Sequence, residues 1–378
     1  MKRRSKKFYF FNTLLIAVIV WVALAFFNTG GLKPAVDITP ESDIYLARAA
    51  DMPGVSCEPK RIPVRLSKDS RFVFDLVGQL CWQGGRLGDT LQVLVSGAGY
   101  GSAYWDFPYK PDTYSYMRRA LAAGDAVFNF DRLGMGASDH PPGALLDVDT
   151  QAYVLYQALD ALKVRRDFGA VVVLGHSFGS VIALAHALNY PEQIDGLVLT
   201  GYAHNVNPEF GPSMGKGIEV AAFGHLAGQI YDPTYLITKE NSRGSSFYTG
   251  SNTDEQVIAT DDLTRETTAV GELITMSKYF ADQSKGLTLP VLMIVGDEDF
   301  VVCGGELDCK DHDAVIANEA EYFPPEACLA LTVLADTNHN ANLHRNAPET
   351  FSLMLEWIAA RVGSGGIPAT DPCIPDAA

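Results

Sequence analysis

Gly175-His176-Ser177-Phe178-Gly179 follows directly on the apolar run at residues 170–174 and precedes a second apolar run at residues 181–188. The first run, rich in Val, reads as a parallel strand buried on both faces, and the second reads as a helix. A G-x-S-x-G pattern at such a junction is a nucleophile elbow, a strained turn that lifts a Ser hydroxyl clear of the backbone. Both glycines are needed, because a Cβ at either position would collide with the neighbouring strand or helix in so sharp a bend. Without the buried strand before it, the same pattern would carry little information.

Outward from the elbow, strands and helices alternate. Residues 61–66 and 71–82 read as an antiparallel strand pair. A strand at 91–95, a helix near 113–123, a strand at 126–130 and a helix near 149–162 then lead to the Val-rich strand. A sixth strand is expected at 196–200. The alternation stops over 202–285, which is mixed in polarity and carries turn signals at Gly211-Pro212, Asn241-Ser242-Arg243-Gly244 and Gly250-Ser251-Asn252. This stretch reads as an inserted lid. Strand character returns at 291–295 and 329–334, and Phe351, Met354, Leu355, Ile358 and Ala359 mark one face of a last helix near 347–362. Such alternation implies a mostly parallel sheet with helices on both faces.

The 378 residues are 47% hydrophobic and 20% charged, the balance of a globular chain. A formal net charge of −16 argues against a nucleic-acid surface, which needs clustered Lys and Arg. The basic cluster Lys2-Arg3-Arg4 with Lys6-Lys7 stands directly before an uncharged run at 8–27, long enough to span a membrane. Residues 1–29 therefore read as a signal-anchor or signal peptide that sends the rest of the chain across the membrane. Ala23-Leu24-Ala25 is a candidate cleavage site, but bulky Phe26-Phe27 follow it, which favours a retained anchor. Residues 30–59, rich in Pro, Gly and Asp, read as a linker. Residues 60–201 and 286–364 form the two parts of one core around the 202–285 insertion, and 365–378 is a loose tail.

Six cysteines suit an oxidising compartment. Cys57 is expected to pair with Cys81, and Cys303, Cys309, Cys328 and Cys373 to staple loops and tail around the C-terminal half. None has metal-ligand spacing with a His. His140, His204, His225 and His312 form no metal pair either, so neither metal nor cofactor is expected.

From about residue 61 to 362 the chain resembles the α/β-hydrolase superfamily. Besides the elbow, Ser96-Gly97-Ala98-Gly99-Tyr100-Gly101 follows a strand where that superfamily places its first oxyanion loop. Asp131-Arg132-Leu133-Gly134-Met135-Gly136-Ala137-Ser138 looks like its D-x-x-G-x-G-x-S turn. The resemblance implies an α/β-hydrolase fold with a lid inserted after the sixth strand, and a nucleophile, acid and base in that chain order.

A Ser hydroxyl needs a base to become a nucleophile, and the base needs a carboxylate to hold its tautomer. Within Gly296-Asp297-Glu298-Asp299 the family position of the acid selects Asp299 over its two neighbours. His339 lies between the last strand and the last helix, where the family's base sits, with His344 as runner-up, read as structural. The residue before His339 is Asn338 where the family usually has Gly, and Asn tolerates positive φ well enough to keep the turn. His176 is read as a packing residue and His186 as a core one. The family places oxyanion donors on the N–H groups of Phe178 and Ala98, with Ser96 here in place of the usual His.

The expected activity is cleavage of a carboxylic ester through an acyl-enzyme, on a small acyl substrate. Tyr100 and Trp105 are candidate substrate contacts. Phe210, Phe223, Tyr231, Tyr235, Phe247, Tyr248, Tyr279 and Phe280 of the insertion could line an apolar site or form the insertion's own core. An amide or peptide hydrolase of proline-aminopeptidase type, thioester or carbon–carbon bond hydrolysis, acyl transfer, and a catalytically silent binding protein are the alternatives. Oligomeric state is not legible.

Overall fold

Valines and leucines at 171–174 have nowhere to face but two apolar layers, and the sheet supplies both. In a computed structural model, which describes residues 49–371 apart from Arg86 and His225, Val171 and Val173 join one buried cluster while Val172 and Leu174 join a second. Leu91 and Val93 alternate with Leu94 in the same way. The sheet between these cores has eight strands, in the order β1-β2-β4-β3-β5-β6-β10-β11. They are β1 (Val55–Val64), β2 (Phe74–Gln83), β3 (Thr90–Val95), β4 (Ala126–Asp131), β5 (Ala170–His176), β6 (Gly196–Thr200), β10 (Val291–Gly296) and β11 (Ala330–Leu334). Only the pairings of β2 with β1 and with β4 are antiparallel; the rest are parallel.

The helices that matter for the site are α1 (Tyr116–Ala122), α2 (Val148–Ala161) and α3 (Phe178–Asn189), which opens at the elbow. Between β6 and β10 the chain leaves the sheet. This insertion carries a small antiparallel sheet, β7 (Ile218–Val220), β8 (Tyr235–Thr238) and β9 (Thr268–Ala269), with α4 (Phe210–Gly217), α5 (Glu255–Leu263) and α6 (Val270–Thr275) around it. Helices α7 (His312–Ala320) and α8 (Ala347–Arg361) complete the core.

Three boundaries differ from those expected. β1 begins at Val55, inside the stretch read as linker, because Cys57 sits opposite Cys81 in the β1–β2 register and is disulfide-bonded to it. β2 begins at Phe74 rather than residue 71. The start of the presumed tail is ordered: Gly363-Ser364 pairs with Ile367-Pro368, and the Gly365 N–H donates to buried Asp125 at 2.7 Å. Cys303 pairs with Cys309, and Cys328 is disulfide-bonded as well. The expected N-terminal signal or anchor, the first part of the linker, and Cys373 lie outside the described residues. Among the described residues no helix is long and apolar enough to cross a membrane.

Candidate active site

Ser177 sits at φ 53° and ψ −122°, a conformation that costs a non-glycine residue about 1–3 kcal/mol and that the surroundings must impose. They do so through the flanking glycines. A Cβ at Gly175 would lie 2.5 Å from the Ser180 main chain, and one at Gly179 would lie 2.2 Å from the Val95 carbonyl oxygen. The strand β5 and helix α3 are thus drawn together, with the Ser177 side chain raised between them.

Two other sheet termini bring partners to it. The loop after β10 carries Asp299 and the loop after β11 carries His339, both almost fully buried. His339 Nε2 stands 2.7 Å from Ser177 Oγ, and Nδ1 lies 2.9 and 3.0 Å from the two oxygens of Asp299. With Asp299 accepting at Nδ1–H, Nε2 is left as the acceptor for the Ser177 hydroxyl. Asp299 Oδ1 also accepts from the N–H of Val301 at 2.9 Å, so its orientation is fixed. Its neighbours point elsewhere: Asp297 accepts from the Thr337 N–H and Glu298 from Thr249 and Lys310.

The loop bearing His339 holds its shape differently from expectation. The left-handed residue is Asp336, at φ 49°, and not Asn338. Asn338 acts through its side chain, whose Oδ1 accepts from the N–H of His339 at 2.8 Å and of Phe300 at 3.0 Å. His344 Nε2 accepts the N–H of Asn338 at 3.2 Å and of Thr249 at 3.1 Å, while Nδ1–H donates to the Asn340 carbonyl at 2.9 Å. His344 is therefore the structural histidine expected. Burial pulls its pKa down to about 4, which keeps the accepting nitrogen free of a proton. His176 packs beneath the site, stacked on Tyr104 at 4.1 Å and 5.1 Å from the His339 ring. Burial, and after it the adjacent His339, hold its pKa well below that of an ordinary imidazole.

Ala98 and Phe178 line the same cleft as Ser177 and His339. Phe178 is the first residue of α3, where main-chain N–H groups have no helical acceptor and the dipole favours negative charge. The cleft encloses about 950 Å3, its open mouth included. Among the described residues, and apart from Ser177 and His339, its only side chains with polar groups are Tyr100, Tyr202, Thr238 and Thr268; the rest of the wall is Gly, Ala, Val, Leu, Ile, Met and Phe. The insertion's aromatic residues divide between the two expected roles: Phe210, Phe247 and Phe280 face the cleft, whereas Tyr235, Tyr248 and Tyr279 are buried. Phe223 and Tyr231 are exposed.

Tyr100 lines the cleft as anticipated, its hydroxyl accepting from Asn340 Nδ2 at 2.9 Å. Trp105 does not. It is completely buried, against Tyr104 and Tyr116 at ring separations of 5.3 and 5.6 Å, because the turn after Gly101 carries it into the core. Two buried ion pairs beside the site were not foreseen, Arg132 with Glu272 and Arg243 with Asp261. Arg132 lay within a recognised turn; nothing local marks Arg243. Among the described residues no group of three or more His, Cys, Asp or Glu could hold a metal ion.

This sheet order, with a Ser at the β5–α3 turn facing an acid after β10 and a His after β11, defines the α/β-hydrolase class. A family model described as "Serine aminopeptidase, S33" matches residues 112–308, just over half of the chain, and the chain belongs to that family. Similar curated proteins include a 2-hydroxy-6-oxononadienedioate/2-hydroxy-6-oxononatrienedioate hydrolase of Paraburkholderia phymatum. It is 32% identical over 142 residues, 38% of this chain and 44% of that one. The 1-acylglycerol-3-phosphate O-acyltransferase ABHD5 of Mus musculus is 26% identical over 147 residues, 38% of this chain and 37% of its own. The matched stretch thus spans less than half the length of either relative. A thermophilic esterase from Thermogutta terrifontis superposes with a TM-score of 0.57 at 18% identity, over 79% of this chain and 98% of the other, a likeness of fold.

Proposed function

We propose that this chain is a serine hydrolase that cleaves carboxylic esters with an apolar acyl or alcohol group, using Ser177, His339 and Asp299. The observation that carries the reading is the 2.7 Å approach of His339 Nε2 to Ser177 Oγ, with Asp299 on the opposite ring nitrogen. Ser177 Oγ attacks the ester carbonyl as its proton passes to His339 Nε2. Asp299 keeps the ring in place and stabilises the imidazolium. The carbonyl oxygen takes up the negative charge between the N–H groups of Phe178 and Ala98. Collapse of the tetrahedral species expels the alcohol, protonated by His339, and leaves Ser177 acylated. Water, deprotonated by His339, then releases the acid and restores the hydroxyl.

An ester fits the cleft better than a peptide. A free amino terminus is well received by a carboxylate, and no Asp or Glu among the described residues lines this cleft. The absence of Lys and Arg among the described residues of the lining likewise disfavours anionic substrates. The segment at 202–285 acts as a lid in this reading, since its residues supply much of the wall. The disulfides Cys57–Cys81 and Cys303–Cys309 support a site of action outside the cytoplasm, reached by the N-terminal signal or anchor.

A fluorophosphonate probe should label the wild-type chain and not Ser177→Ala. A panel of p-nitrophenyl esters of increasing acyl length, with an aminopeptidase-type anilide beside it, reads the substrate class. Turnover of the anilide and none of the esters would replace the ester reading with the peptidase one.

A further inference from the structure

Arg132 and Arg243 are each 1% exposed, and so are their partners Glu272 and Asp261. Burying two ion pairs is a poor way to gain stability, since apolar side chains of like volume often serve as well or better. What these pairs do have in common is the main chain they hold. Arg132 Nε donates to the Ser96 carbonyl at 3.1 Å and Nη2 to the Gly97 carbonyl at 3.2 Å. Arg243 Nη2 donates to the Gly99 carbonyl, its Nε to Thr238 Oγ1 at 2.9 Å, and its guanidinium lies 4.3 Å from the centre of the Tyr100 ring. Two rigid donor forks thus grip three of the four carbonyls from Ser96 to Gly99. Both carboxylates that anchor the forks come from the insertion, Asp261 on α5 and Glu272 on α6.

We propose that the insertion sets the second oxyanion donor through these two arginines, which act as positioning residues for the Ala98 N–H. The inference rests on the ester-hydrolase reading of the same site. Its physical basis is the planarity of the peptide: the Gly97 carbonyl and the Ala98 N–H belong to one trans unit and point in opposite directions. Holding the carbonyl on Arg132 aims the N–H away from Arg132, into the cleft that Ala98 shares with Ser177. The next carbonyl but one, on Gly99, is held by Arg243 and by the N–H of Glu266 at 3.0 Å. Gly99 has φ +73°, and a Cβ there would stand 3.1 Å from Arg243 Nη2, so the turn is shaped to admit the guanidinium. Asp261 in turn holds Arg243 at 2.7 Å and accepts the Tyr248 hydroxyl at 2.7 Å. Glu272 accepts from Gln151 at 2.7 Å and from the Ala269 N–H at 3.1 Å, which ties its carboxylate to both α2 and the insertion. A segment bound to the oxyanion loop at so many points is a fixed clamp on it, and a swinging cover would have to break them together.

The test compares wild type with two double variants, Arg132→Met/Glu272→Leu and Arg243→Met/Asp261→Leu, neither of which leaves a buried charge unpaired. Rates are taken per site titrated by a fluorophosphonate, so loss of folded protein alone leaves them unchanged. A donor that acts only on the developing oxyanion contributes to kcat and not to ground-state binding. We expect kcat to fall about 10- to 100-fold with KM within about threefold. Affinity for phenylboronic acid, which adds to Ser177 as a tetrahedral anion, should fall by a similar factor. A titrated site whose kcat and boronate affinity stay within about threefold of wild type overturns the inference, as does a rise in KM alone. Failure of the wild-type chain to label or to turn over esters would instead sink the underlying reading.

Discussion

At the scale of single residues, the site is built by contacts that leave no room for adjustment. Gly179→Ala would place a methyl group 2.2 Å from the Val95 carbonyl oxygen, a main-chain atom that cannot swing aside. We expect it to cost about 3 kcal/mol or more, read as a lowered midpoint in urea and a poor soluble yield. Asp299→Asn keeps an oxygen for the Val301 N–H, so the fold should survive with an unchanged melting temperature. The amide cannot hold the same His339 tautomer as the carboxylate does, and kcat should fall on the order of 10^3- to 10^4-fold, the effect of the equivalent change in a serine protease. A loss below tenfold would remove Asp299 from its proposed role. Asn338 illustrates how residue type alone misleads: its side-chain oxygen, and not its tolerance of positive φ, is what the turn uses.

Elements carry the next layer of the design, because each functional side chain sits on a loop tied at both ends. The Cys303–Cys309 bridge closes the loop that follows Asp299, whose Val301 and Val302 also line the cleft. The Cys303 N–H donates to the Asp299 carbonyl at 2.8 Å, so the bridge begins where the acid ends. Replacing both cysteines by Ser removes a short covalent loop worth about 2 kcal/mol by chain entropy. The expected result is a lower melting temperature together with a several-fold lower kcat/KM, measured side by side. An unchanged kcat/KM in the folded variant would show that the bridge supports the loop without tuning the site. On the opposite side of the site, His344 joins the His339 turn to Thr249 of the insertion, which only a neutral ring nitrogen can do.

For the molecule as a whole, buried imidazoles set the acid limit. Burial brings the pKa of both His186 and His344 down to about 4. Unfolded, each would titrate near 6.5, so between pH 6.5 and 4 the unfolded chain binds protons that the native chain does not. Stability is therefore complete above about pH 6.5 and is lost as pH falls towards 4, by about 3 kcal/mol for each group. Urea melts at pH 7 and pH 4.5 should show this drop, and His186→Phe, remote from Ser177, should flatten part of it, the remainder coming from His176 and His344. A variant with the same pH slope as wild type would exclude His186 as its source.

What could be read without coordinates was whatever leaves a local trace. The elbow and the doubly buried strands follow from short-range periodicity and spacing, and the order Ser177, Asp299, His339 from the resemblance to the α/β-hydrolase superfamily. Which side chains meet across the fold leaves no such trace. Arg243 lies 144 positions from the Gly99 carbonyl it holds and 18 from Asp261. Trp105 and Tyr100 looked alike in sequence, yet one is in the core and the other in the cleft. Periodicity reports how a residue faces its own element, whereas the partner it meets depends on how distant elements pack, and only the tertiary structure decides that.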